Sequence, residues 1–260
     1  MPTVTVLPFD AVVCDIDGVL RHWPTTAEAG LDATHGLPAG AIEAAAFAPA
    51  RLQPAITGKT TDEQWRAAVA ADLAGACGSA QRARAAVAAW SDVVPRVDRE
   101  VVALLGRARE AVTVALLSNA TTRLERDLAR QGLDTVADAV VNTARIGVAK
   151  PDPRIYLIAA ERVGAAVHRC LFVDDTPANV EAARTVGMTA VHYRRPADLH
   201  DALAPLLARD PAGPEGRGVI QRTHPDTAVT PSQPPLRSAG PRSPGSVDAS
   251  TAQRASSAGG

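Results

Sequence analysis

The chain is short of aromatic residues, of cysteine and of net charge, and each shortage narrows what it can do. Phe, Trp and Tyr together make up 3 % of its 260 residues, so Val, Leu, Ile and Ala must fill whatever core forms. The apolar fraction of 46 % is enough for one large domain or two modest ones. Three cysteines, Cys14, Cys77 and Cys170, are too few for a disulfide framework. Their mostly apolar neighbours make them buried, reduced thiols of a cytoplasmic protein. No CxxC, HExxH or paired Cys/His spacing marks a zinc site. With 27 basic and 28 acidic side chains the net charge is −1. Such a chain has no long-range field to gather nucleic acid or a membrane surface, which leaves a small molecule as the expected partner. No apolar run approaches the length of a membrane span. The opening MPTVTVLPFD has neither a basic nor an apolar signal region, so no secretory signal is expected.

What is present falls into three zones. FDAVVCDID (9–17) is a dense apolar run ending in acids, the pattern of a buried strand. From about 20 to 94 the texture is Ala-rich and helical, with helices expected from near Pro38 to Phe47, after Thr61, and over 80–91. Thr61 and Gln64 have capping-box spacing. Beyond 95, strands over 112–118, 138–143, 170–175 and 189–193 alternate with helices, several of which carry an early Pro or a closing Gly. Val97, Val101, Leu104 and Leu105 are placed on one face of the first of these helices. Alternation of this kind predicts an α/β fold, a Rossmann-like doubly wound parallel sheet covered on both faces. Residues 1–19 and 95–209 form its core, and 20–94 an inserted α-helical cap domain. The last 50 residues hold eight prolines and no aromatic residue, so 210–260 is expected to be a disordered tail.

Ligands of open parallel sheets bind beyond the carboxyl ends of the strands. Four strands here end in polar groups: Asp15 and Asp17 after the first, Ser118-Asn119 after the second, Lys150-Pro151-Asp152 after the third, and Asp174-Asp175 after the fourth. Acids gathered at one edge repel unless a cation balances them. Carboxylates without His or Cys favour a hard cation with oxygen ligands, and Mg²⁺ fits best. The Ser118 hydroxyl and main-chain N–H groups at Ser118-Asn119 suit phosphoryl oxygens, and Lys150 adds positive charge against a developing negative one.

These motifs, DIDGV (15–19), LLSN (116–119), AKPD (149–152) and FVDD (172–175), resemble in order and kind those of the haloacid dehalogenase-like (HAD) hydrolase superfamily over roughly residues 9–200. The stretch 174–193, with Asn179 and Gly187, is similar to the family's sequence after its last motif, and a helical block between the first and second motifs resembles members with a small cap. The resemblance implies a phosphatase in which Asp15 attacks phosphorus and Asp17 serves as acid and then base. Asp17 would also reach Mg²⁺ through its main-chain carbonyl. Ser118 and Asn119 would hold the phosphoryl group, Lys150 would steady it and Asp15, and Asp15, Asp17, Asp174 and Asp175 would hold the metal. The expected partner is a small phosphorylated metabolite, with the chain a monomer or homodimer.

Other readings use the same fold. A phosphosugar mutase would keep every residue named. A 2-haloacid dehalogenase would resemble enzymes lacking the second Asp of the first motif, and a phospho-accepting receiver domain would place its acidic pair first and carry no cap. Arg21, His22, Lys59 and Arg66 are expected to face solvent, His168 and His192 to sit at strand edges without a catalytic part, and Asp152 to cap the following helix.

Overall fold

The computed structural model describes residues 7–25 and 30–208. The expected tail, 210–260, lies outside them. Five parallel strands form one sheet in the order β5-β4-β1-β6-β7, where β1 is Ala11–Cys14, β4 Thr113–Ser118, β5 Ala139–Asn142, β6 Cys170–Asp174 and β7 Thr189–His192. The apolar runs are continuous because both faces are buried. Along β1, Val12 and Cys14 point into one core while Ala11 and Val13 point into the other. Leu116 and Leu117 of β4 and Phe172 and Val173 of β6 divide in the same way. Helices α6 (Arg99–Arg109), α7 (Leu124–Gln131) and α11 (Pro196–Leu207) cover the first face. Helices α9 (Pro153–Arg162) and α10 (Pro177–Thr185) cover the second, and α8 (Thr143–Ile146) is a single turn after β5. Among the described residues no helix is long and apolar enough to cross a membrane.

Between β1 and β4 the chain makes five further helices, α1 (Leu31–Thr34), α2 (Ala41–Ala46), α3 (Pro49–Ile56), α4 (Asp62–Leu73) and α5 (Ala80–Ser91). They bury their own apolar cluster, built on Ile42, Trp65, Val69, Leu73, Ala83 and Val87. Two short antiparallel strands, β2 (Arg21–His22) and β3 (Arg96–Val97), flank this block and bring its ends together. Val97 is therefore on a strand, not on the face of α6 where its spacing placed it. Asp98 intervenes: its carboxylate accepts from the N–H groups of Glu100 and Val101, so the helix can begin only after it. The capping box at the start of α4 is formed in both directions, Gln64 N to Thr61 Oγ1 at 3.2 Å and Thr61 N to Gln64 Oε1 at 2.9 Å.

Candidate functional site

The polar groups at the strand ends meet at one edge of the sheet. Asp15 directly follows β1, and its N–H donates to Val173 O of the neighbouring β6 at 2.8 Å. That bond carries the sheet register one residue past the strand and aims the Asp15 side chain beyond the edge. Its Oδ1 accepts from Ile16 N–H at 2.7 Å. Lys150 reaches in from the loop between α8 and α9, with Nζ 2.8 Å from Asp15 Oδ1, 2.7 Å from Asp174 Oδ2 and 3.2 Å from Leu117 O. All three ammonium hydrogens are thereby engaged. Asp174 is fully buried and saturated, because Thr176 N–H and Asn179 Nδ2 donate to it as well. Asp175 is partly exposed and receives one side-chain donor, Thr176 Oγ1 at 3.2 Å.

Asp15, Asp174 and Asp175 each present an oxygen, and the three atoms lie within 4.8 Å of one another. Burial raises the Asp15 carboxyl above the ordinary carboxylate value; the Asp174 charge adds to this and Lys150 opposes it. Burial also raises Asp175, again with Asp174 adding. Lys150 feels burial in the other direction, but its two carboxylate partners outweigh it and hold the proton on. The site thus carries three acids against one lysine. Ionised together they leave two negative charges, which is what a divalent cation with oxygen ligands would balance. Asp15 and Asp175 have room for a metal bond, while Asp174 is engaged in fixing Lys150.

Gly18 makes this crowding possible. Its φ is +90°, and a methyl group added there would overlap the Asp175 carboxylate. The loop from Ile16 turns so tightly that Ile16 O accepts from both Leu20 N and Arg21 N, bringing Arg21 back against Asp17. The Asp17 carboxylate therefore lies outside the acid cluster. It accepts from Arg21 Nε at 2.7 Å and from Trp23 Nε1 at 2.6 Å, with the Ser118 hydroxyl 3.5 Å away. Arg21 is 4 % exposed, so the expectation of a solvated linker residue is corrected: the tight turn folds it under. Asn119 turns its side chain away from the acids and exchanges two hydrogen bonds with the main chain of Lys150, both 2.8 Å, which locks the two loops together.

His192, expected at a strand edge without a part, closes on Asp175 O at 2.9 Å and braces that loop. His168 is exposed, beside the opposite end of β6. Asp152 caps α9, accepting from Arg154 N–H. Arg66 is a second correction. It does not point freely into solvent but pairs with the buried Asp62 at 2.7 Å, on the wall of a cavity of about 400 Å³ that opens beside Asp17 and Asn119.

A parallel α/β sheet with these motifs at its carboxyl edge defines a hydrolase class, and its sequence signature matches. The model of the haloacid dehalogenase-like hydrolase family covers residues 9–187, and the chain belongs to that family. A phosphatase from Mycobacterium tuberculosis is 39 % identical over 87 residues, which are 32 % of this chain and 40 % of that protein. Fructose-1-phosphate phosphatase YqaB of Escherichia coli is 37 % identical over 67 residues, 26 % of this chain and 36 % of that one. The chain thus spans about two fifths of the length of these curated relatives. A HAD family enzyme of Bacteroides thetaiotaomicron, solved in complex with magnesium and inorganic phosphate, shares the fold at a TM-score of 0.57. It is 20 % identical, over 70 % of this chain and 92 % of that one.

Proposed function

We propose that the chain is a Mg²⁺-dependent phosphatase that hydrolyses a small-molecule phosphomonoester through an aspartyl-phosphate on Asp15. The reading is carried by the buried Asp15, oriented by Lys150 and flanked by Asp174 and Asp175. The two relatives named above are phosphatases, and the structural neighbour holds magnesium and phosphate.

An Asp15 oxygen attacks phosphorus, the ester P–O bond breaks, and Asp17 gives the leaving oxygen its proton. Asp17 then takes a proton from water as that water attacks the aspartyl-phosphate, and inorganic phosphate leaves. Ser118 and the main-chain N–H groups beside it hold phosphoryl oxygens. Lys150 keeps Asp15 aimed and its charge tolerable at this depth. Asp15, Asp175 and the Asp17 main-chain carbonyl would hold Mg²⁺, with Asp174 supporting them through Lys150. Once bound, Mg²⁺ supplies charge neutralisation for the phosphoryl oxygens. Helices α1–α5 serve as a cap over the acid cluster, so substrate choice resides there.

The test is turnover of p-nitrophenyl phosphate by the full chain, with Mg²⁺ and with EDTA, in wild type and Asp15→Asn. Mg²⁺-dependent release of p-nitrophenol that disappears in the variant is expected. Rates that survive EDTA or the substitution defeat the mechanism.

A further inference from the structure

We infer that the leaving group of this substrate carries a flat aromatic ring without a second anionic group; the inference rests on the phosphatase reading above. The observation is where the scarce aromatics lie. The chain has three Trp and three Phe residues, and all three Trp plus Phe47 line the cavity beside Asp17. They come from four places: Trp23 just after β2, Phe47 at the end of α2, Trp65 in α4 and Trp90 near the end of α5. Sequence position does not bring them together, and the packing of the helical block accounts for only part of it.

Trp65 is a core residue, with its Nε1 donating to Ala46 O at 3.1 Å. Phe47 and Trp23 are not. They are 52 % and 40 % exposed, two of only four large apolar side chains exposed among the described residues. Leaving such rings in water is unfavourable unless something covers them, and a patch of this kind rimmed by polar groups marks a binding surface. Phe47, Trp90 and Trp65 continue one another edge to face, with centroids 6.0 and 5.5 Å apart and interplanar angles of 72° and 62°. They build an extended wall, and Trp23 is tied to the other end by its bond to Asp17. At about 400 Å³ the space suits a small organic ligand.

Charge decides against a second anion. Three arginines line the cavity, and each is already paired: Arg21 with Asp17, Arg66 with Asp62 and Arg123 with Asp127, all at 2.7 Å. A carboxylate on the leaving group would meet three arginines whose charges are already balanced by neighbouring carboxylates, although the buried Arg66 Nε keeps no hydrogen-bond partner. An uncharged ring meets the wall it matches. Nucleoside 5′-monophosphates and arylmethyl phosphates share this chemistry.

The test uses two matched pairs with the same type of leaving oxygen: adenosine 5′-monophosphate against ribose 5-phosphate, and benzyl phosphate against ethyl phosphate. In either pair kcat/KM should favour the ring by ~10-fold or more, the range of one base stacked on an aromatic side chain. Phe47→Ala, which opens no core, should pull that ratio toward one. Equal kcat/KM within both pairs overturns the inference while leaving the phosphatase reading intact. No turnover of these four or of p-nitrophenyl phosphate defeats the phosphatase reading instead. The ring is then judged by binding alone, through the tryptophan emission of the Asp15→Asn protein. Since every tryptophan lines the cavity, saturable change with adenosine 5′-monophosphate and none with ribose 5-phosphate supports the inference. An unchanged spectrum with the nucleotide overturns it.

Discussion

The Lys150 ammonium sits 2.8 Å from Asp15 Oδ1, with the two side chains only 2 % and 7 % exposed. Neither charge is stable at that depth alone, and Asp174 on the other side of Lys150 makes the arrangement a buried triad. Removing the lysine strands two carboxylates. Lys150→Met should therefore cost roughly 3–5 kcal/mol of stability in urea unfolding, as well as turnover. A variant as stable as wild type means that the two acids do not rely on Lys150.

Gly18 is the position where one methyl group should disable the site without touching a charge. Gly18→Ala places its Cβ on the Asp175 carboxylate and holds a non-glycine residue at φ +90°. Displacing Asp175 should cut phosphatase turnover on the order of 100-fold. It should also weaken Mg²⁺ binding measured by calorimetry. Wild-type Mg²⁺ affinity in a folded Gly18→Ala protein removes Asp175 from the metal set.

Proton and metal compete for the same oxygens. Burial raises Asp15 and Asp175, so both hold protons at a pH where ordinary carboxylates have lost them. A cation binds the deprotonated form. Mg²⁺ affinity should therefore rise with pH above the ordinary carboxylate value near ~4, with protons released on binding. Calorimetry in buffers of different ionisation enthalpy measures both. An affinity that stays flat from weakly acid to neutral pH rules out these two acids as joint ligands.

Much of this was legible because it is local chemistry. The acids and Ser118 stand at or just past strand ends, and strand ends show in the sequence as apolar runs stopped by polar residues; Lys150 lies further on, in the loop between α8 and α9. The Thr61–Gln64 box and the Asp152 cap are equally local. Arg21 was not legible: its burial follows from a turn in which Ile16 O gathers the N–H groups of Val19, Leu20 and Arg21, and composition carries no sign of that. Nor was the aromatic wall, whose members lie in four segments: the packing of α2, α4 and α5 gathers Phe47, Trp65 and Trp90, and the bond to Asp17 holds Trp23 beside them. Val97 failed for a narrower reason. Helical periodicity runs smoothly through Asp98, but the Asp98 side chain takes the N–H groups that a longer helix would need.

Asp152 offers a stability test away from the chemistry. Its side-chain bonds to Arg154, and then the Arg154 N–H, hold its carboxyl down to about 2. A group depressed in the folded state stabilises above its unfolded value, near ~3.9, and that contribution is lost as pH falls toward the folded one. Asp152→Ala should lower Tm at neutral pH and leave kcat/KM for p-nitrophenyl phosphate unchanged. The Tm difference from wild type should close as pH drops through ~4 to ~2. A difference that persists at the acid end assigns the effect to something other than the ionised cap.

Asp17 has two partners to satisfy, and they can be separated. As the proposed acid it must reach the leaving oxygen, yet it also balances Arg21, whose side chain is 4 % exposed while that of Asp17 is 36 % exposed. Asp17→Asn should therefore lose stability as well as turnover, by about 2 kcal/mol after allowing for the water around the carboxylate. Adding Arg21→Met removes the uncompensated guanidinium, so the double variant should recover most of that stability. It should recover none of the turnover, because no group remains to give the leaving oxygen its proton. Urea unfolding and p-nitrophenyl phosphate turnover on the four proteins of this cycle decide the matter. If activity returns together with stability, Asp17 acts by holding Arg21 in place and not by moving a proton.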